Sequence, residues 1–318
     1  MAEFTWELDV ADGVLKNHML SGKIREAAIA GTKFMQFVQP EPGYGRAKGD
    51  SVTLTRIRNI AEPTTARIGE RERIPIDTFA QSSVTITVAE WGRGVEYTHK
   101  SQLLSHYDRE DKIQKKLRQQ LQLVLDTACA AAFKTAGICY IPTTLSGGVF
   151  DTDGTPSTTA LQNLTVAHVK VIRDYLADTI HCPGVDGGEQ FVCLASTKAL
   201  RGVKNDPEWS DWRKYIQPDQ AFFKGEVGMI ENIRFVEVNH TNALANNKGS
   251  GGILGEAVFF GDDAVTMVVA EDTELRAAIP GDFGREKAVA WYGVLEFGSV
   301  WGTSASDGEA RIIRLTSA

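Results

Sequence analysis

The sequence predicts an α+β chain, and three features carry that prediction. Two near-identical strand phrases, SVTLT at 51–55 and SVTIT at 83–87, alternate apolar and hydroxyl residues with period two, the pattern of a strand with one buried face. A long amphipathic helix follows them. Short apolar strands and further helices are then unevenly interspersed to the end of the 318 residues, without regular βαβ repeats.

Taken in order, residues 1–48 read as an extended arm with a short helix over Gly22–Phe37, closed by the Pro and Gly of PEPGYGRAKGD. The two strand phrases that follow are joined by 27 residues, Arg56 to Ser82, rich in Arg and Glu and with almost nothing to fill a core. Compact domains seldom carry a connection of that length unless it is used elsewhere. The second strand continues through EWGRGVEYTH. Ser105 and Asp108 then offer N-terminal caps, and Asp108, Glu110 and Asp111 place negative charge in the first turn of the long helix. Ile113, Leu117, Leu121, Val124, Ala128 and Ala132 line one face of it at three- and four-residue spacing, and Gly137 stops it. About 28 residues at ~1.5 Å each make a rod of roughly 40 Å. Its opposite face carries Lys112, Lys115, Lys116, Arg118, Gln119 and Gln122, either a solvated surface or one turned to a polyanion.

Residues 141–163 read as a Gly/Thr/Ser loop, followed by a helix over Thr165–Ile180. FVCLAS is a short buried strand. STKALRGVKND starts a helix at a Ser/Thr cap that ends by Asp206-Pro207. IRFVEV, EAVFFG, TMVVA, AVAWYGVLEFGSVW and ARIIRL supply the remaining strands.

Composition narrows the function classes. Lys plus Arg number 34 against 41 Asp plus Glu, a net charge of −7, which is the wrong balance for a protein that grips nucleic acid through its phosphates. The charge is unevenly spread, +2 over residues 1–140 and −9 over 141–318. Cys129, Cys139, Cys182 and Cys193 show no CxxC spacing and read as reduced, buried thiols of a cytoplasmic product. The start MAEFTWELDVADG lacks the basic and apolar segments of a signal peptide, and no run approaches the ~18 apolar residues of a membrane span.

No catalytic constellation stands out. There is no GxxxxGK[ST], HExxH, GxSxG or paired CxxC. GSGGILG at 249–255 misses the dinucleotide spacing and reads as a flexible linker; DTDGT at 151–155 starts like a calcium loop but meets Gln162 where Glu should close it. His18, His99, His106, His168, His181 and His240 lack metal-ligand spacing. His181-Cys182 reads as a helix end, and Asp262-Asp263 and Glu271-Asp272 as turns. Trp209 and Trp212, near Arg213 and Tyr215, form either local core or a contact patch. No catalytic, cofactor or metal residue is predicted.

The order of parts resembles a family. GDSVTLTRI…IPIDTFAQSSVTITVAEWGRGVEYT, the helix DKIQKKLRQQLQLVLDTACAAAF, then STKALRGVKNDPEW, GEVGMIENIRFVEV and EAVFFGDDAV…GREKAVAWYGVLEFGSVW follow one another as in the major capsid proteins of tailed bacteriophages with the Hong Kong 97-like fold, most like those of short-tailed phages of the N-four type. The resemblance covers nearly the whole chain. It implies an N-terminal arm at 1–48 and an extended loop, a β-hairpin, at 49–92. It implies a peripheral domain at 93–140 with a spine helix, an axial domain at 141–274, and peripheral return strands at 275–318.

The implied function is a non-enzymatic coat protein that self-assembles as pentamers and hexamers into an icosahedral head around double-stranded DNA, in the virion, after assembly in the host bacterial cytoplasm. Its implied partners are further copies of itself, a portal protein, separate scaffolding and decoration proteins, and DNA held loosely and without sequence specificity; no membrane is involved. The extended loop then meets neighbours through Arg56, Arg58, Glu62, Arg67, Glu70, Arg71, Glu72, Arg73 and Asp77, a nearly balanced set suited to repeated copies of one chain. Lys112, Lys115, Lys116 and Arg118 are the expected DNA-facing residues, and Trp209 and Trp212 an axial-domain contact. Residues 49–99 contain no lysine, so the covalent loop crosslink of some family members is not expected. The alternative is a cellular nanocompartment shell of the same fold; an enzyme with an unrecognised site and a tail or neck protein are further departures.

Overall fold

The computed structural model describes residues 30–41, 44–45, 48–58, 60, 63–64, 66–105, 108–207, 209, 226–302 and 309–318, the side chains of Arg109 and Asp186 excepted. A 3-10 turn at Phe34–Phe37 leads into β1 (Gln39–Pro40), followed by β2 (Ser51–Ile57), β3 (Gln81–Thr87) and β4 (Ala89–Thr98). Then come α1 (His99–Leu103), α2 (Arg109–Phe133), β5 (Ile138–Pro142), β6 (Gly148–Asp151) and α3 (Val166–Asp174), which continues into a π-turn at Tyr175–Thr179. β7 (Phe191–Ser196), α4 (Thr197–Lys204), β8 (Glu226–Ile230), β9 (Ile233–Val238), β10 (Ala257–Phe260), β11 (Thr266–Ala277), β12 (Glu286–Gly298) and β13 (Ile312–Leu315) complete the chain.

Among the described residues the strands form three sheets: seven strands in the order β6-β5-β13-β10-β7-β9-β8, four in the order β1-β11-β12-β4, and the separate pair β2-β3. The seven-stranded sheet is covered on both faces, which is why its central strands read as unbroken apolar runs. Cys193, Ala195, Phe235, Phe259 and Ile313 point to the side occupied by α3 and α4, where Val169, Ile172, Leu200 and Val203 meet them. Val192, Leu194, Val236, Val258 and Phe260 point the other way, to Leu125, Cys129 and Phe133 of α2 and to Phe34. The four-stranded sheet sets Tyr97, Val289 and Trp291 on Leu117 in the first half of the same helix. α2 therefore joins both sheets along its length.

Local signals account for the ends of α2. Asp108 accepts hydrogen bonds from the Glu110 and Asp111 N–H groups at 3.1 and 3.4 Å. The helix closes at Phe133, four residues before Gly137, with the Lys134 N–H bonded back to Ala130. The segment leading into β1 is held by a buried carboxylate: Asp126 accepts from the Lys33 and Phe34 N–H groups at 2.9 Å each, while His240 meets its other oxygen at 3.2 Å.

Three expectations need correction. Residues 141–163 are not one loop, because Ile141 and Pro142 end β5, a fully buried strand, and β6 pairs with it across the turn; short all-apolar runs carry no alternation to mark them. The helix expected over 22–37 ends, in its described part, as a 3-10 turn of four residues; residues 22–29 lie outside the described set. The closing strands do not all return to one sheet: β12 joins β4 and β11, whereas β13 sits between β10 and β5 in the seven-stranded sheet. All four cysteines are free and buried.

Candidate subunit interface

The two echoed strand phrases pair in one register, Ser51 opposite Thr87 and Ile57 opposite Gln81. Val52, Leu54, Val84 and Ile86 share the inner face, and Thr53 and Thr85 bond across the outer one at 3.2 Å. The inner face is fixed to the body at two places. Ile86 lies over Gly298 at the end of β12, where a Cβ would stand 2.7 Å from Ile86 Cδ1, so any larger residue there would force the Ile86 side chain to shift. Arg56 supplies the second attachment. It donates to Ser82 Oγ at 2.7 Å and to the Val300 carbonyl at 3.0 Å, and lies 3.3 Å from the buried Glu309 carboxylate. Arg58 reaches the other oxygen of Glu309 at 3.7 Å.

Beyond this foot the chain leaves the body. The Arg58 N–H bonds Ala80 O at 3.0 Å, and further out a turn is closed by Glu72, whose N–H donates to Gly69 O while its carboxylate accepts from the Gly69 N–H. Every described residue from 60 to 81 is exposed. Among them are five large apolar side chains, Ile60, Ile68, Ile74, Ile76 and Phe79, with Ile74 71% and Ile76 93% exposed. This is a hairpin arm whose apolar side chains are left uncovered by the described residues of its own chain.

The expected contact residues divide accordingly. Arg67, Glu70, Arg71, Glu72, Arg73 and Asp77 are exposed on the excursion, and Glu62 lies outside the described residues. Arg56 and Arg58 are both turned to Glu309 of their own chain, because a buried carboxylate needs compensating charge nearby. The row of apolar residues was missed, since single Ile and Phe among charges make no periodic signal. On α2, Lys115, Lys116 and Arg118 are exposed; Lys112 is half-exposed with its ammonium 3.8 Å from Asp111, and Lys116 donates to Gln119 at 3.0 Å. Of the two readings of Trp209, the structure favours local core. It lies edge-on to Phe235 with ring centres 5.6 Å apart and is packed over Gly228; Trp212 lies outside the described residues.

The remaining chemical candidates have structural uses. Asp151 and Asp153 accept backbone N–H groups of their own loop, from Asp153, Ser157 and Thr155. Asp262 takes the Gln39 amide and Asp263 the Trp301 indole N–H, so the pair holds a turn. His181 bonds the Ala177 carbonyl at 3.0 Å, and burial pushes the adjacent Cys182 thiol up to about 11, so it is no thiolate nucleophile at neutral pH. The glycines of the 249–252 stretch adopt a tight turn, with positive φ at Gly249, Gly251 and Gly252. Among the described residues no cluster of His, Cys, Asp and Glu could hold a metal ion, and no helix is long and apolar enough to cross a membrane.

No protein-family model matches the chain, and no curated protein matches it by sequence. Solved structures do. The cyanophage Pam1 capsid chain is 14% identical, with 100% of each chain covered and a TM-score of 0.71. The capsid chain of Helicobacter pylori bacteriophage KHP30 is 12% identical over 96% of each, with a TM-score of 0.68. That of Ralstonia phage GP4 is 15% identical over 97% of this chain and 98% of its own, with a TM-score of 0.63. The likeness covers nearly the whole chain, so the chain has the phage-capsid fold, α+β and Hong Kong 97-like, that its order of parts implied.

Proposed function

We propose that this chain is the major coat protein of a tailed-phage head, assembling as pentamers and hexamers into an icosahedral shell around double-stranded DNA. One observation carries the reading. The excursion is fixed at its foot by a buried ion pair and the Ile86–Gly298 contact, yet its outer part exposes Ile60, Ile68, Ile74, Ile76 and Phe79 with no cover from the described residues of its own chain. A chain that anchors an apolar arm so firmly and leaves it bare is finished by its neighbours. Capsid chains of three phages share the fold end to end, which supports a shell over a ring or tube.

In this reading residues 49–92 are the extended loop, α2 is the spine of the peripheral domain, and the seven-stranded sheet belongs mainly to the axial domain. The excursion meets a neighbouring subunit through its apolar row, with Arg67, Glu70, Arg71, Glu72, Arg73 and Asp77 setting register at the rim. Exposed charge pairs add well under ~1 kcal/mol each, so the apolar contacts supply most of the cohesion. Lys112, Lys115, Lys116 and Arg118 face the packaged DNA. A portal protein and a scaffolding protein complete the head, and the finished shell resides in the virion. Electron microscopy of the purified full-length chain, alone and with the other head proteins, tests this. Closed icosahedral shells are expected. Open rings, tubes or a stable monomer at high concentration would overturn it, and closed shells enclosing a protein cargo in place of a genome would assign the chain to a nanocompartment.

A further inference from the structure

The foot of the excursion is held by two unlike contacts on its two strands. On β3, Ile86 rests on Gly298, an apolar contact without directional demand. Arg56 on β2 and Arg58 just past its end stand two residues apart, hence on one side of the extended chain, and both turn to one carboxylate. The Glu309 side chain is 6% exposed, and among the described residues neither of its oxygens accepts a hydrogen bond of good geometry. Charge from these two guanidinium groups holds it, with that of Arg311 close by. Beneath Ile57, beside this ionic contact, lies a cleft of about 140 Å³ lined also by Cys182, Trp301, Glu309 and Arg311. The guanidinium of Arg311 stacks on the Trp301 ring at 3.7 Å and donates to Asp262 O, giving the cleft a rigid floor.

We propose that Glu309 is a positioning residue that sets the angle at which the excursion leaves the body, and that without it the hairpin rocks about the Ile86–Gly298 contact over the cleft under Ile57. The inference rests on the excursion being a subunit contact and adds the device that aims it. Aim matters because the arm is a lever. About ten extended residues beyond the foot reach roughly 30 Å, so a rotation of about 5° moves the outer end by about 3 Å, enough to miss a packed contact. A closed shell requires the same aim in every copy.

The test uses the full-length chain with Glu309→Gln and Glu309→Asp. Cys182 lines the cleft, whereas Cys129, Cys139 and Cys193 are fully buried elsewhere and serve as internal controls. Alkylation by N-ethylmaleimide, followed peptide by peptide, is expected to run about fivefold or more faster at Cys182 in Glu309→Gln, with the other three unchanged. Particle diameters broaden or shells fail to close in that variant, and Glu309→Asp returns both readouts toward those of the parent chain. Unaltered Cys182 labelling and unaltered diameters in Glu309→Gln would overturn the proposal, as would equal acceleration at all four cysteines, which marks general loosening. If Glu309→Gln does not fold, Arg58→Gln gives the same pair of readouts with the carboxylate intact. A parent chain that forms no shell removes the coat-protein reading, while Cys182 labelling still decides whether Glu309 holds the foot.

Discussion

In β7 and β10 every residue is buried, whereas from residue 60 to 81 no described residue is covered by its own chain. Both stretches carry large apolar side chains. In the seven-stranded sheet these meet helices on each face, so their burial stabilises the isolated subunit. In the excursion the same residue types stay exposed on the isolated subunit. In the coat-protein reading one chain therefore contains two hydrophobic systems, one that folds it and one that completes it, and substitutions should sort cleanly between them.

The largest effect belongs to the body. Phe259 is fully buried between the sheet and the α3–α4 layer, 6.4 Å ring to ring from Phe235. Phe259→Ala should cost about 3–5 kcal/mol in urea unfolding of the unassembled chain, from lost transfer energy plus the cavity left behind. Assembly should fail in that variant only through loss of folded subunit. The second effect inverts the pattern. Ile74→Ala with Ile76→Ala should leave unfolding within about 0.5 kcal/mol, as for exposed positions generally. The concentration needed for assembly should meanwhile rise at least about tenfold, the factor that ~1.4 kcal/mol of lost contact per subunit produces. Light scattering against protein concentration reads this directly. If the double variant instead unfolds as readily as Phe259→Ala, the excursion is packed on its own chain and the contrast between the two systems disappears.

The third effect separates the regions by acid. His168 accepts the Thr165 N–H at Nδ1 and its Nε2 meets the Thr144 carbonyl at 2.8 Å; burial outweighs the hydrogen bonds that favour charge and holds its pKa below the usual 6.5. Its folded pKa is depressed, so its contribution is complete above about pH 6.5 and is lost as pH falls through the folded value. Burial pushes the Glu256 carboxyl up, but the Ala245 N–H, Lys134 at 2.9 Å and Lys248 together bring it below the usual range. That contribution is complete above about pH 4.3 and is lost as pH falls through the folded value. Melting temperature against pH should therefore stay level near neutrality and then fall in two steps. His168→Gln should remove the first step and Glu256→Gln the second. Both groups sit in or beside the seven-stranded sheet, so a matching acid dependence of assembly in subunits that remain folded would show that the two systems are coupled.

How much of this was readable from residues alone follows the range of the interactions. The hairpin was legible because SVTLT and SVTIT alternate with period two, and the register confirms their pairing residue by residue. α2 was legible from its cap and its apolar stripe, although it stops before the glycine expected to end it. β5 was hidden because ICYIP is buried throughout and shows no alternation. The anchors of the excursion were hidden for a different reason. Arg56 meets Val300 and Glu309, more than 240 positions away along the chain, and nothing local in RIRNI distinguishes an arginine bound for its own core from one facing a neighbour. Trp209 was undecided for the same reason, since Phe235 and Gly228, which enclose it, arrive from a later hairpin. The apolar residues of the excursion pass unnoticed in sequence because Ile74 and Ile76 flank a proline among charges, and exposure belongs to the fold, not to the residue.

The smallest expected effect concerns the polar face of α2. Lys112, Lys115 and Lys116 lie on the side opposite Leu117, so changing all three to Gln should shift subunit stability by no more than about 0.5 kcal/mol and leave empty-shell assembly intact. If that face lines the interior, the change removes three positive charges per subunit from a wall repeated throughout the shell. Loose contact with phosphates depends on charge and weakens with salt, so packaged DNA should be lost from variant heads at lower added salt than from parent heads. The length of DNA retained per head, measured across a salt series, reads the difference without any effect of assembly. Identical retention at every salt concentration would place this face away from the genome and return its lysines to the ordinary work of keeping a surface soluble.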